Sequence, residues 1–462
     1  MNDYLNKPFI LIIFGITGDL SQRKLLPALY HLIQHRQLPE KIKIVGVSRQ
    51  RIPVSSVYQS LHLRIHGDDY DRTIVQKMTD ATEMLQIDME NSDDYTRMLE
   101  KLRVMSDSMG PGVSRLYYLS IPAQAFVSVV HLLGETCHHE PFELEGERPR
   151  LLVEKPFGYD LSSADKLVRA ADEHFGEQQT FRIDHYLAKE TAQNILTFRF
   201  QNPLFQSIWN RKHIDSIRIV AYETIGIEKR VAFYEQTGAL RDILQSHLMQ
   251  LLALITMEKP EALESHDIHK SKLRLLESIE VISAEEVRKK AIRGQYDNYR
   301  AEVANPVSRV ETFARLHLDI DNELWRGVEV IIETGKALHE KSTQIEVKFR
   351  ASDDAPGTNI LTFRVQPQEG ITLSLQAKRP GLAKETDTVK MEFDYDRAFF
   401  GPTGDAYERV IIDAIRGDQS LFATAAEVLT SWRIVENVLD YWSNSGEDLV
   451  IYPVGSFASD IM

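Results

Sequence analysis

Hydrophobic positions along the chain follow two different rhythms. In the first third, apolar runs of strand length alternate with stretches of helical spacing. "KPFILIIFGITGDLSQRKLLPALYHLIQH" opens with such a run, and Leu25, Leu26, Leu29 and Leu32 then recur at helix spacing. "KIKIVGVSRQR", "SRLYYLSIP" and "RLLVEKPFG" are further strand-length runs, with helical stretches between them. Alternating strand and helix predicts a parallel sheet flanked by helices. Beyond residue 300 the period becomes two, in "ETFARLHLDID", "STQIEVKFRA", "ITLSLQAKRP" and "VKMEFDYD". There Ile345, Val347 and Phe349 oppose Gln344, Glu346, Lys348 and Arg350, which predicts antiparallel strands with one buried face. "YERVIIDAIRGD" and "AAEVLTSWRIVENVLDYW" read as amphipathic helices suited to covering that face.

The punctuation between elements adds chemistry. Gly15, Thr17, Gly18, Asp19 and Leu20 form a G-x-x-G-D-L-type turn between a strand and a helix. Such a turn lets backbone approach a pyrophosphate whose charge the helix N-terminus stabilises. An ordinary strand-to-helix turn is the plainer reading, since G-x-G-x-x-G is the commoner fingerprint. The second strand ends in Ser48-Arg49-Gln50-Arg51, without the carboxylate that usually holds an NAD ribose. A guanidinium there suits a 2′-phosphate and favours NADP, against a simple surface cluster. In "EKPFG", Lys155 is a cation at a strand's C-terminal end, where ligands lie in such sheets. Pro156 restricts its backbone and admits a cis bond. The expectation is an α/β Rossmann-like dinucleotide-binding domain over residues 1–180. An α+β domain with a large, mainly antiparallel sheet covered by helices then spans 181–462.

Two stretches hold candidate acid–base groups. "GALRDILQSHLMQLLALITMEKP", 238–260, reads as a helix entered from a glycine and stopped by Pro260. His247 lies on its stripe of Leu240, Ile243, Leu244, Leu248, Leu251 and Ile255. It is either a satisfied core histidine or a base tuned by desolvation and a carboxylate. Asp242, roughly one and a half turns earlier, falls on a different face and so would serve something else. "FRIDHYLAKE", 181–190, crowds Arg182, Asp184, His185, Tyr186, Lys189 and Glu190 together. A solvated surface helix would account for that density; so would a binding site.

Bulk composition narrows the classes. At 462 residues, with 43% apolar and 26% charged positions, the chain reads as a globular protein of two domains. The apolar run Phe9 to Ile13 is too short for a membrane span and wrongly flanked for a secretion signal, so a cytoplasmic address is expected. The single cysteine, Cys137, excludes an internal disulfide, lacks a cysteine partner at metal-ligand spacing, and reads as a buried small side chain. No metal is expected. A net charge of −14 without a basic stripe argues against nucleic acid. An anionic small molecule stays compatible, provided cations are concentrated locally.

In this order, "GITGDLSQRKLLPALYHL", "EKPFG", "RIDHYLAKE", "GALRDILQSHLMQLLALITMEKP", "IRGQY", "ETGKAL", "NILTFRVQPQEG" and "AYERVIIDAIRGDQSLFATAAEVLTSWRIVE" resemble the glucose-6-phosphate dehydrogenase family over nearly the whole chain. The resemblance implies oxidation of C1 of glucose 6-phosphate to the lactone, with hydride passing to NADP⁺. It implies His247 as general base, with Asp184 as its paired carboxylate. His185, Tyr186 and Lys189 match the phosphate grip; Lys155 matches a lysine between sugar and nicotinamide. Glu223 and Asp242 match acids on sugar hydroxyls, and Lys336, Lys341 and Gln366 match further substrate contacts. Gly15, Thr17, Gly18, Asp19 and Leu20 fall in the pyrophosphate turn, and Arg49 matches the 2′-phosphate arginine.

Three departures from the family pattern stand out. Ala188 replaces a usual glycine, a one-methyl change tolerable in a helical turn. Ser246 replaces a usual asparagine before the base and bears on how that helix is tied down. Glu333 and Glu346 stand where arginines of a second, structural NADP site would be, so that site is expected to be missing. The resemblance also implies a homodimer, or a dimer of dimers, assembled through the polar face of the large sheet. Two rivals remain at this point. One is a dehydrogenase of another sugar or sugar phosphate, including the Gfo/Idh/MocA type with its own EKP strand end. The other is a catalytically inactive relative, which should have lost one of Asp184, His185, Lys189 or His247.

Overall fold

A computed structural model describes residues 3–65, 69–137, 148–351, 357–382, 384–399, 405–446 and 448–462. The chain divides into two compact units. The first comprises Met1–Gly158, Ser162–His185 and Gly404–Ala425; the second comprises Tyr159–Leu161, Tyr186–Thr403 and Ala426–Met462.

The first unit is built on strands β1 (Phe9–Phe14), β2 (Ile42–Ser48), β3 (Thr82–Gln86), β4 (Ser114–Leu119), β5 (Arg150–Val153) and β6 (Thr180–Ile183). They pair in parallel in the order β6-β5-β4-β1-β2-β3. All six residues of β1 are buried, because helices cover both faces. That is why these strands read as unbroken apolar runs rather than alternations. Phe126, Val129, Val130 and Leu133 of helix Ala123–Cys137 pack into the same core, and Cys137 is buried there.

The chain's return to this unit departs from the division at residue 180. Strand Phe422–Ala423 adds antiparallel to β6. Helix Ala406–Arg416, expected over the large sheet, instead belongs here. Arg150 on β5 caps its C-terminus, donating to the carbonyls of Ala414 (2.9 Å) and Ile415 (2.8 Å). Gln419 donates to the carbonyls of Glu177 and Thr180 beside β6. Amphipathicity specifies which helix face is buried, not which sheet buries it, and a two-residue strand has no readable period.

The second unit is a nine-stranded mixed sheet with helices. Its strands are β7 (Ile214–Tyr222), β8 (Ala291–Tyr296), β9 (Phe313–Leu318), β10 (Glu329–Gly335), β11 (Ser342–Phe349), β12 (Ile360–Gln366), β13 (Gly370–Lys378) and β14 (Thr386–Asp394). The order is β14-β13-β12-β11-β7-β10-β9-β8, with Leu449–Tyr452 added beside β8. Pairing is antiparallel except for β7 with β10 and β8 with Leu449–Tyr452. The alternation read in 344–350 holds as far as Lys348: Ile345 and Val347 are fully buried, while Gln344, Glu346 and Lys348 are half-buried. Phe349, expected on the buried face, is only half-buried, at the end of the strand where the register with β7 shifts. The segment Leu240–Leu248 packs on β7, β9 and β10. The following helix, Met249–Thr256, is buried at every residue.

Beneath that helix lies a polar tie. The Lys272 ammonium meets the Glu427 carboxylate at 2.9 Å and the Gln250 amide oxygen at 3.0 Å, with both charged side chains 0% exposed. It joins helices Met249–Thr256, Ser265–Glu277 and Ala425–Asn444. Among the described residues, no helix is long and apolar enough to cross a membrane.

Candidate active site

In the first unit, the glycine turn is shaped by a close approach of two strand ends. Gly15 follows β1 with φ of 78°, and a Cβ there would collide with the Ser120 carbonyl oxygen beyond β4. Only glycine satisfies both demands. The Gly15 carbonyl accepts from the Gly18 N–H (2.8 Å) and the Ser21 hydroxyl (3.0 Å), closing the turn. Ser21–Leu25 then winds with π-helical bonds before the α-helix Leu26–Gln34. Thr17 and Asp19 are exposed at the turn, and Asp19 pairs with Arg23 on the surface. The space beside Gly15 is taken by the protein's own Ser120 carbonyl. The succession of strand, glycine turn and helix N-terminus is what a pyrophosphate requires, and in that respect the residues present fit a dinucleotide. Gly15→Ala is expected to abolish dinucleotide binding and lower the melting temperature; fluorescence titration with a reduced nicotinamide dinucleotide and thermal unfolding would read both.

β2 ends at Ser48, whose hydroxyl donates to the Gln50 carbonyl. Arg49 is exposed there, and its carbonyl accepts from the Gln86 side chain at the end of β3. Lys155 lies two residues beyond β5, and its bond to Pro156 is cis. Its neighbour Glu154, not singled out in the sequence, is a half-buried anchor. Tyr118 of β4 donates to the Glu154 carboxylate. Burial pushes the Glu154 carboxyl up to about 7, against hydrogen bonds from Tyr118 and Tyr407 and the charge of Lys155. Tyr407 comes from the returning helix, which explains why sequence proximity gave no hint of it.

"FRIDHYLAKE" is not a solvated helix. Phe181–Ile183 ends β6, and a turn leads into helix Glu190–Gln201. Arg182, Asp184, Tyr186, Leu187 and Ala188 are buried; His185 and Lys189 are half-buried. Arg182 holds Glu177 through two 2.9 Å bonds from one nitrogen, so its charge serves the fold. Ala188 is not among the positions with left-handed φ, so the methyl meets no backbone penalty there.

In the second unit, His247 is 1% exposed, and its ring stacks on Tyr186 at 4.3 Å between centroids and 21° between planes. The histidine sits on Leu240–Leu248, which winds with i→i+5 rather than i→i+4 bonds. That winding corrects the expectation for Asp242. At 3.6 residues per turn, positions five apart diverge; i→i+5 bonding brings residues 242 and 247 towards one face. The winding begins at a break. Gly238 takes φ of 62°, where a Cβ would collide with the Glu311 carboxylate, and that carboxylate accepts the Leu240 N–H at 3.0 Å. Glu311, which no pattern flagged, thus seats the start of the segment; its burial raises its pKa. Ser246 Oγ is buried and makes no hydrogen bond among the described residues, so it does not tie the helix down.

Two lysines complete the constellation, each against a carboxylate. Lys336 is buried and pairs with Glu223, its Nζ 5.4 Å from the Tyr234 ring. The two meet because they directly follow the parallel strands β10 and β7, where Gly335 is in register with Tyr222. Lys189 lies 3.7 Å from Glu369, which also accepts the Thr191 N–H at 2.8 Å at the start of helix Glu190–Gln201. Glu369 is a third acid, after Glu154 and Glu311, that no sequence pattern flagged. Gln366 closes β12 in register with Thr343, and exposed Lys341 lies two residues before that partner. In this arrangement the protein supplies counter-charges for both buried-side lysines, which an incoming anion would exchange for its own.

On the polar face of the sheet, Glu333 of β10 is enclosed by Arg218, Tyr222 and Arg315. Its carboxylate is committed inside the fold, and Glu346 faces Arg218 at 4.0 Å.

Residues 12–194 match the family model "Glucose-6-phosphate dehydrogenase, NAD binding domain", and residues 196–460 match "Glucose-6-phosphate dehydrogenase, C-terminal domain". The chain is 38% identical to glucose-6-phosphate 1-dehydrogenase of Chlamydia muridarum, over 97% of this chain and 93% of that one. It is 35% identical to glucose-6-phosphate 1-dehydrogenase 2 of Mycobacterium tuberculosis, over 95% and 89%. A solved structure of glucose-6-phosphate dehydrogenase in complex with its substrate glucose-6-phosphate superposes with a TM-score of 0.89 at 30% identity, covering 98% of this chain and 96% of that one. A levoglucosan dehydrogenase, 9% identical with a TM-score of 0.55, shares the fold alone.

Proposed function

The chain belongs to the glucose-6-phosphate dehydrogenase family, and from that premise we propose that it oxidises D-glucose 6-phosphate at C1 to 6-phospho-D-glucono-1,5-lactone with NADP⁺ as acceptor. The observation that carries this reading is the setting of His247. It is enclosed, stacked on Tyr186, and joined through that ring to the stretch holding Asp184, His185 and Lys189. NADP⁺, when bound, accepts the hydride from C1. His247 takes the proton of the C1 hydroxyl as that hydride leaves, so that a neutral lactone forms. Asp184 fixes the imidazole's tautomer and stabilises its charged form. His185, Tyr186 and Lys189 hold the phosphate; Glu223, Asp242, Lys336, Lys341 and Gln366 hold the sugar and its phosphate end. Gly15, Thr17, Gly18, Asp19 and Leu20 seat the pyrophosphate, Arg49 the 2′-phosphate, and Lys155 the sugar and nicotinamide.

The first unit is the dinucleotide-binding half of this scheme, and the second is the substrate-binding and subunit-contact half. We place the enzyme in the cytoplasm as a homodimer, or a dimer of dimers, at the entry to the oxidative pentose phosphate pathway. The internal pairing of Glu333 supports a single dinucleotide per subunit.

The test is nicotinamide reduction by purified protein at near-neutral pH, with glucose 6-phosphate or glucose against NADP⁺ or NAD⁺. Efficient turnover is expected only with the phosphorylated sugar, unphosphorylated glucose reacting slowly at most, and faster with NADP⁺, and Arg49→Ala should reduce the NADP⁺ rate far more than the NAD⁺ rate. Turnover with another sugar phosphate but not glucose 6-phosphate would overturn the substrate; equal coenzyme loss in Arg49→Ala would overturn the role of Arg49.

A further inference from the structure

Within the first unit, helices Ala123–Cys137 and Leu161–His174 bring together side chains that play no part in the proposed reaction. One ligand atom from each of His131, Glu173 and His174 lies within 4.8 Å of the others. We propose that these three residues bind a divalent transition-metal cation of the zinc class, with Glu135 orienting His131.

Three independent features support a built site. The first is spacing. His131 Nδ1 and His174 Nε2 are 3.0 Å apart. Two nitrogens each about 2.0–2.1 Å from one tetrahedral zinc lie roughly 3.3 Å from each other. The two rings therefore already present their nitrogens at close to ligand spacing. A hydrogen bond at that distance needs a proton on only one of the two nitrogens, whereas a cation in that place would use both lone pairs.

The second feature is support behind a ligand. Glu135 Oε1 is 3.2 Å from His131 Nε2, the ring nitrogen that does not face His174. Metal-ligating histidines usually donate their second N–H to a carboxylate in this way, which fixes the tautomer and raises the basicity of the ligating nitrogen.

The third is the room made for the other ligand. Gly134 is buried inside the helix that carries His131, and a Cβ there would collide with the His174 ring. Glycine is a destabilising choice in a helix interior. Here it lets the imidazole lie against the helix beside His131. Two imidazoles and one carboxylate suit zinc, nickel or copper rather than calcium or magnesium, and three protein ligands leave a position for water. Such an ion would tie the two helices together.

The experiment is a titration of the purified full-length chain with Co²⁺, followed by its visible absorption, and then displacement with Zn²⁺. Saturable binding of one equivalent per chain is expected, with Zn²⁺ displacing Co²⁺ and raising the melting temperature. His131→Gln and Glu173→Gln should each weaken binding more than tenfold, and Glu135→Gln by roughly tenfold. His131 is 48% exposed, so its replacement leaves the core intact and the result readable. No saturable binding, or a titration of His131→Gln and His174→Gln that matches the native chain, would overturn the site.

Discussion

Replacing His247 with asparagine is expected to lower turnover by about a hundred- to ten-thousand-fold, the usual contribution of a general base. The KM for glucose 6-phosphate should change only a few-fold. The reason lies in when the histidine acts. Hydride departure from C1 builds positive charge on the C1 oxygen unless its proton leaves in the same step, so the base matters most in the transition state. A group that acts only there lowers kcat and leaves substrate binding nearly untouched. Asparagine keeps a planar polar group beside Tyr186, 4.3 Å from the native ring centroid, and so spares much of the packing. Steady-state kinetics on the folded variant, with circular dichroism as control, decide the matter. Near-native kcat would remove His247 from the mechanism.

How far that histidine could be foreseen illustrates what a sequence carries. Local patterns translated directly. The apolar run of β1, the period-two strand β11 and the Gly15 turn each depend on neighbours in sequence, and each formed as its pattern requires. The apolar stripe of 238–260 correctly buried His247, yet the stripe's assumed 3.6-residue period misjudged the winding of Leu240–Leu248. What sequence could not supply are the partners brought together by topology. Glu311 seats Leu240 from 71 positions away, Glu369 reaches Thr191 across 178, and Glu427 meets Lys272 across 155. Each is one acid among many in an acidic chain, and nothing in its immediate context separates it from a solvated carboxylate. The return of 404–425 to the first unit is hidden for the same reason. The family resemblance supplied roles for residues, but not the counter-charges that hold them ready.

Those counter-charges shape the second large effect. Lys189→Ala is expected to raise the KM for glucose 6-phosphate by about ten- to a hundred-fold, with kcat altered much less. That range corresponds to roughly 1.4–2.8 kcal/mol, the worth of a hydrogen bond to a charged group. The phosphate is remote from the reacting C1, so its grip is equally strong in the ground and transition states. Losing such uniform binding costs affinity rather than rate. Removing the ammonium also exposes any incoming phosphate to Glu369, whose carboxylate lies 3.7 Å from Lys189 in the native chain. A second substitution, Glu369→Gln, should therefore recover part of the lost affinity in the Lys189→Ala background while weakening it little alone. A purely structural lysine predicts otherwise, because the double variant would then be no better than the single one. Reaction of unphosphorylated glucose supplies the sharpest contrast. With no phosphate to hold, Lys189→Ala should leave its slow turnover unchanged, and a parallel loss there would show that Lys189 supports the site as a whole rather than gripping the anion.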